Sequence, residues 1–202
     1  MRSRTRTFAF AGLLAGALVL TACGGDSPAV GGDADSGSSA EQANFNEQDR
    51  QFVAGMLPHH SQAVDMSEMI LDKDPSEPVA ALAERIMAAQ QPEIDELNEM
   101  LEAFGDEPAG GGHGAGHGGG SDAAMHGGMM TDAQMQELMA ASGADAERMF
   151  LTMMIEHHRG AIEAADKQIA DGQYPPALDL AERIKADQAA EIAEMEQLLT
   201  QL

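Results

Sequence analysis

From Phe52 onward, apolar and histidine positions recur at alternating steps of four and three: Phe52, Met56, His59, Ala63, Met66, Ile70. A second row, Val53, Leu57, His60, Val64, Ser67 and Leu71, runs beside it with the same steps. Two adjacent rows make a wide inward face, as a bundle helix needs; a half-buried strand would alternate at every second residue. The pattern returns as Phe150, Met154, His157, Ala161 and Leu151, Ile155, His158, Ile162, Ile169. Each double row ends in a run of breakers, Asp72-Lys73-Asp74-Pro75-Ser76-Glu77-Pro78 and Asp171-Gly172-Gln173-Tyr174-Pro175-Pro176. Each run is a short antiparallel connection to a further helix. The first of those helices is predicted to stop at Gly105 after Phe104, and the second to reach the C-terminus.

The likeness of the two patterns is a duplication. Residues 49–101 align without a gap on 147–199, with Arg50/Arg148, Phe52/Phe150, His59/His157 and His60/His158 identical. The segment LAERI occurs at 82–86 and again at 180–184, followed by Gln90/Gln188, Glu93/Glu191 and Ile94/Ile192. One supersecondary unit, a helical hairpin, has been copied. Two hairpins bury their apolar faces against each other, so the expected fold is all-α, a four-helix bundle. Pro58 removes one helical hydrogen bond, but the rows keep phase across it, which predicts a kink and no break. Between the halves, residues 105–130 are too rich in glycine to hold a helix and are expected to be disordered. Thr131-Asp132-Ala133-Gln134 then opens a short helix to about Ala141, with Gly143 ending it and Asp145 capping the next.

The N-terminus changes the domain plan. Arg2, Arg4 and Arg6 precede a short apolar stretch, Phe8 to Leu20, and then Leu20-Thr21-Ala22-Cys23. This is the form of a bacterial lipoprotein signal: residues 1–22 are a leader, and Cys23 becomes the lipidated first residue. Residues 23–44 are a flexible tether, and 45–202 form the bundle domain with the linker inside it. Cys23 is the single cysteine, so thiolate chemistry and disulfides are excluded from the mature chain. Acidic residues number 34 against 11 Lys and Arg, a formal net charge of −23. Such a surface repels nucleic acid and anionic lipid headgroups.

The chain has 7 His and 15 Met, and their placement suggests chemistry. Adjacent residues on a helix point 100° apart, so one His pair is a poor chelate by itself. Met56 lies three and four residues before His59 and His60, on the same face, and Met154 stands likewise to His157 and His158. The unit is Met-x-x-His-His, present twice, and the bundle would bring the two copies together. Imidazole with thioether suits Cu(I) first, Cu(II) next, and Zn(II) behind both. Met66, Met69 and Met153 lie within a turn or two as auxiliary donors. The linker adds His113, His117, Met125, His126, Met129 and Met130, either as weak early ligands or as incidental residues of a spacer. Glu93 and Glu191, with Gln90 and Gln188 a turn before them, either orient the histidines by hydrogen bonds or lie at the edge of the apolar face. A competing reading leaves the histidines as hydrogen-bonded core residues and the methionines as gap fillers.

The stretches FNEQDRQFVAGMLPHHSQAVDM and MFLTMMIEHHRGAIEA, with GMLPHH and MIEHH at their centres, resemble the bacterial family known as domain of unknown function 305. The resemblance spans about residues 45–201. It implies a ferritin-like four-helix bundle and, for some members, periplasmic copper binding linked to copper tolerance. The positions it implicates are Met56, His59, His60, Met66, Met154, His157 and His158. Where the family often keeps a further methionine, this chain has Ala164, which predicts a second half poorer in sulfur. A ferritin-like bundle invites di-iron chemistry, but that needs Glu-x-x-His on two helices, and here Met56 and Met154 hold the place of the glutamate. The expected function is a membrane-tethered, extracytoplasmic copper-binding protein, a buffer or chaperone in metal tolerance, and not an enzyme. The alternatives are a structural or partner-binding lipoprotein with core histidines and, behind it, a metal-dependent redox enzyme. Its partners are the metal ion, the membrane through the Cys23 lipid and, for a chaperone, a metal-delivery protein; nucleic acid is not among them.

Overall fold

Asn46 starts the bundle. Its side chain accepts from the Asp49 amide while the Asp49 carboxylate accepts from the Asn46 amide, a capping box that opens helix α1, Glu47–Leu71. The computed structural model describes residues 44–106 and 127–202, all within the unit Ala40–Leu202. The leader, Cys23, nearly all of its tether, and His113, His117, Met125 and His126 lie outside the described residues. Helix α1 runs through Pro58 without interruption. Helix α2, Glu77–Phe104, ends at Gly105 in the left-handed conformation that glycine favours. Helix α3, Asp132–Ala140, is the short helix expected after the linker. Helices α4, Gly143–Asp171, and α5, Pro175–Leu199, repeat the first hairpin. The described residues form an all-α bundle, as the periodicity predicts.

Three local expectations are corrected. Gly143 does not end the short helix: Ala141 terminates α3, Ser142 is the N-cap of α4, and Asp145 lies in the first turn of α4. Ile169 is 37% exposed; beyond Ala161 the inward face of α4 continues through Ala164, Ala165 and Gln168. Seven residues fall about 20° short of two full helical turns, so a row extrapolated by sevens drifts off its face. The disorder expected of the linker fails at its C-terminal end. Its last residues, 127–130, are docked: Gln62 Nε2 donates to the Met130 carbonyl at 2.9 Å, and the Met130 amide donates to Gln62 Oε1 at 2.7 Å. Gly160 makes room for them, since a Cβ there would fall 1.8 Å from the Gly127 carbonyl oxygen.

The hairpins α1–α2 and α4–α5 meet chiefly along α1 against α4, with α2 approaching α5. The contacts are reciprocal. Arg85 pairs with Glu194, and its repeat Arg183 pairs with Glu96, the repeat of Glu194. Ser76, the N-cap of α2, donates from its amide and hydroxyl to Glu147 at 2.9 and 2.6 Å. Tyr174, the N-cap of α5, donates from its amide to Asp49 at 3.1 Å. Each hairpin therefore caps the second helix of the other with a carboxylate, where a helix N-terminus attracts negative charge. The two halves are related by an approximate two-fold axis.

The core is divided along the bundle. One apolar cluster combines Met66, Ile70, Leu82 and Ile86 with Phe150, Leu151 and Met154. The other combines Phe52, Met56, Leu97 and Phe104 with Ala161, Ala165, Leu180 and Ile184. In every long helix the buried side chains between the two clusters are polar: His59 and His60, Gln90, His157 and His158, Gln188. The histidines form a transverse layer between two apolar cores.

Candidate metal centre

The layer is built because each His-His pair sits at mid-helix on an inward-facing double row. His59 and His157 meet across the α1–α4 seam with ring centroids 3.7 Å apart. His60 and His158 turn toward the second helix of their own hairpin. There His60 Nε2 lies 2.8 Å from Glu93 Oε2, and His158 Nε2 lies 2.6 Å from Glu191 Oε2. Both imidazoles are fully buried, while the glutamates keep 14% and 17% of their side chains exposed. The glutamates thus orient the histidines, the first of the two roles open to them from sequence. A carboxylate only accepts, so the imidazole tautomer that fits each contact has its proton on Nε2 and its lone pair on Nδ1. Neither Nδ1 has a hydrogen-bond partner.

His157 is held well below the usual histidine value of 6.5. Burial is the largest cause, followed by the imidazoles of His59, His158 and His60, with the His59 backbone weakly opposing them. The ring is neutral at neutral pH, the form that ligates metals.

The methionines divide by side of the layer, not by half of the chain. Met154, fully buried, joins Met66 of the other half in one cluster, together with Met130 and Met153. Met69 and Met149 pack against that cluster. Met56 lies in the other cluster with Met100. The place equivalent to Met66 is Ala164, in the cluster of Met56, so the sulfur-poor side contains residues of both halves. Met130, from the docked end of the linker, reaches the sulfur-rich cluster; Met129 is half-buried beside it. Among the described residues, no three His, Cys, Asp or Glu groups gather closely enough to hold an ion by themselves. Thioethers or other donors would have to complete any set. Two open grooves, of about 820 and 510 Å³, contain no histidine in their walls.

A helical bundle with a central histidine layer defines a class, and sequence comparison gives the family. The chain belongs to the family described as domain of unknown function DUF305, whose model matches residues 49–199. A crystal structure of a DUF305 fragment from Deinococcus radiodurans is 31% identical, with a TM-score of 0.66, covering 78% of this chain and 98% of that one. CopM in its Cu(II)-bound form is 30% identical, with a TM-score of 0.62, covering 76% of this chain and 96% of CopM. CopM is also known in a Cu(I)-bound form. A viral relative, protein L153 of Acanthamoeba polyphaga mimivirus, is 41% identical over 54 residues, 27% of this chain and 36% of the viral protein. The chain thus spans about a third of the length of that relative.

Sequence reasoning missed Asp49 and Glu147, which hold the opposite hairpin's turn. Their signal was faint: they are equivalent positions of the repeat that keep an acid without keeping the residue.

Proposed function

We propose that this protein binds copper in the transverse histidine layer and acts as a membrane-tethered buffer or chaperone on the extracytoplasmic side of the cell envelope. The observation that carries the reading is the pair of buried His–Glu contacts, which leave two lone pairs on Nδ1 without partners beside the stacked His59–His157 pair. Oriented imidazole with a glutamate behind it is how metal-ligating histidines are built. Met56 and Met154, a turn away, bring thioether sulfur and so favour Cu(I). The likeness to CopM, which binds Cu(I) and Cu(II), supports the choice of ion. The leader of residues 1–22, followed directly by Cys23, supports the tether. The protein holds and passes on its ion and does not transform a substrate, in keeping with methionine where a di-iron site would place glutamate.

The test is metal retention by the purified full chain after loading with Cu(I), Cu(II) and Zn(II). Copper is expected to stay bound. A variant with His59, His60, His157 and His158 replaced by alanine, shown helical by circular dichroism, is expected to lose it. Equal retention by the two proteins would overturn the assignment, and labelling of the intact cells that leaves Cys23 without lipid would remove the tether.

A further inference from the structure

The layer contains two residues that the histidines leave without a task. Gln90 and Gln188 are 2% and 3% exposed, and no amide oxygen or nitrogen of either has a hydrogen-bond partner. Folded proteins rarely leave a buried amide unpaired, and here it happens at two equivalent positions. The sequence suggested that these amides orient histidines; the glutamates do that instead.

Their place in the bundle follows from the two His–Glu contacts. Each glutamine is one turn before the glutamate that holds a histidine of its own hairpin. The antiparallel pairing of α1 with α2 therefore sets Gln90 beside Ala63, one turn from His59; Gln188 stands likewise beside Ala161 and His157. Both alanines are fully buried and present only a methyl group to the layer. Gln90 also lies midway between Arg85 and Glu96, whose partners Glu194 and Arg183 bracket Gln188 in the same way. The two residues thus stand at one level on the α2–α5 side of the layer, opposite the α1–α4 seam where His59 and His157 meet.

We infer that Gln90 and Gln188 are oxygen donors that let the central site hold a divalent cation as well as a soft monovalent one. The inference rests on the metal-binding reading above and concerns which ion the site accepts. Sulfur beside imidazole selects Cu(I) or Ag(I); oxygen beside imidazole suits Cu(II). The amide oxygens extend a donor set that imidazole and carboxylate do not complete alone. They do so without adding charge to a buried layer, where an unpaired charge is strongly disfavoured.

The experiment compares the full chain with Q90L/Q188L and with Q90M/Q188M, which keep side-chain bulk and remove the amides. Affinities for Cu(II) and Ag(I) are measured by competition titration, and the Cu(II) donor set by electron paramagnetic resonance. Both variants are expected to weaken Cu(II) by about 10- to 100-fold, the range typical of lost supporting groups at metal sites. Ag(I) binding is expected to be nearly unchanged in Q90L/Q188L and tighter in Q90M/Q188M. Unchanged Cu(II) affinity and spectrum in whichever variant folds would overturn the inference, as would equal losses for the two ions. Wild-type binding that depends on the four histidines, with the same ion preference in the variants, removes the glutamines alone. A wild type that binds neither ion removes the metal reading and this inference together.

Discussion

At the scale of single residues, the centre depends on which atom of each imidazole is already engaged. Glu93 and Glu191 take Nε2 of His60 and His158 and leave Nδ1 without a hydrogen-bond partner. Replacing both by glutamine keeps the shape and removes the charge that fixes the tautomer. E93Q/E191Q is expected to lower copper affinity by roughly 10- to 100-fold, read by competition titration, with little change in helical content. His157 gives a pH signature. Its proton affinity in the fold is depressed from 6.5, so below 6.5 the unfolded chain takes up a proton that the bundle refuses. Stability of the metal-free protein is then fully present above 6.5 and falls as pH drops toward the lower folded value. Urea unfolding at pH 7.5 and 5.5 is expected to show the loss, and H157Q to reduce it. The Met-x-x-His-His units were legible because side chains three and four apart share a helix face. The use of Glu93 was not decided by spacing, since a residue at the edge of an inward face turns in or out according to what the partner helix presents.

At the scale of elements, the helix ends and the docked strap of residues 127–130 carry the specificity of the arrangement. Asp49 is buried and serves both its own helix and the start of α5. Burial acts to raise its pKa, but hydrogen bonds from Asn46, Gln168, Tyr174 and Gln173 together outweigh this and hold it below 3.8. The stability it adds is present above 3.8 and is lost as pH falls through its lower folded value. D49N is expected to cost on the order of 2 kcal/mol at neutral pH, as hydrogen bonds to a charged group do, and to flatten acid unfolding at the low end. Gly160 tests the strap. G160A places a methyl group against Gly127, and overpacking of this kind costs about 1–3 kcal/mol. Faster amide exchange at Met130, with the exchange of α2 unaltered, is the expected readout. The helices were readable from periodicity and their stops from Gly and Pro. The docking of 127–130 was not, because glycines that make a segment flexible in isolation also let two backbones approach closely, and composition does not separate the two uses.

At the scale of the whole molecule, the bundle is two apolar cores separated by a polar layer, with reciprocal contacts about one axis. Duplication was legible from the gapless repeat, and the all-α fold followed from it. The division of sulfur by side of the layer was not, because it depends on which residues of the two copies meet after the chain has folded. The reciprocal caps have a further consequence. Asp49 closes the turn of the second hairpin and Glu147 that of the first, so a hairpin alone has an unfinished end that a second hairpin completes. The peptide between the halves then acts through effective concentration, holding together two parts that already recognise each other. Residues 44–106 and 127–202, produced as separate chains, are expected to reassociate into one heterodimer with the helical content of the intact protein. Sedimentation showing two monomers at micromolar concentration would refute this. Either chain alone is expected to pair with itself in the same manner and less tightly, because the strap and Gly160 belong to one half and Gln62 to the other.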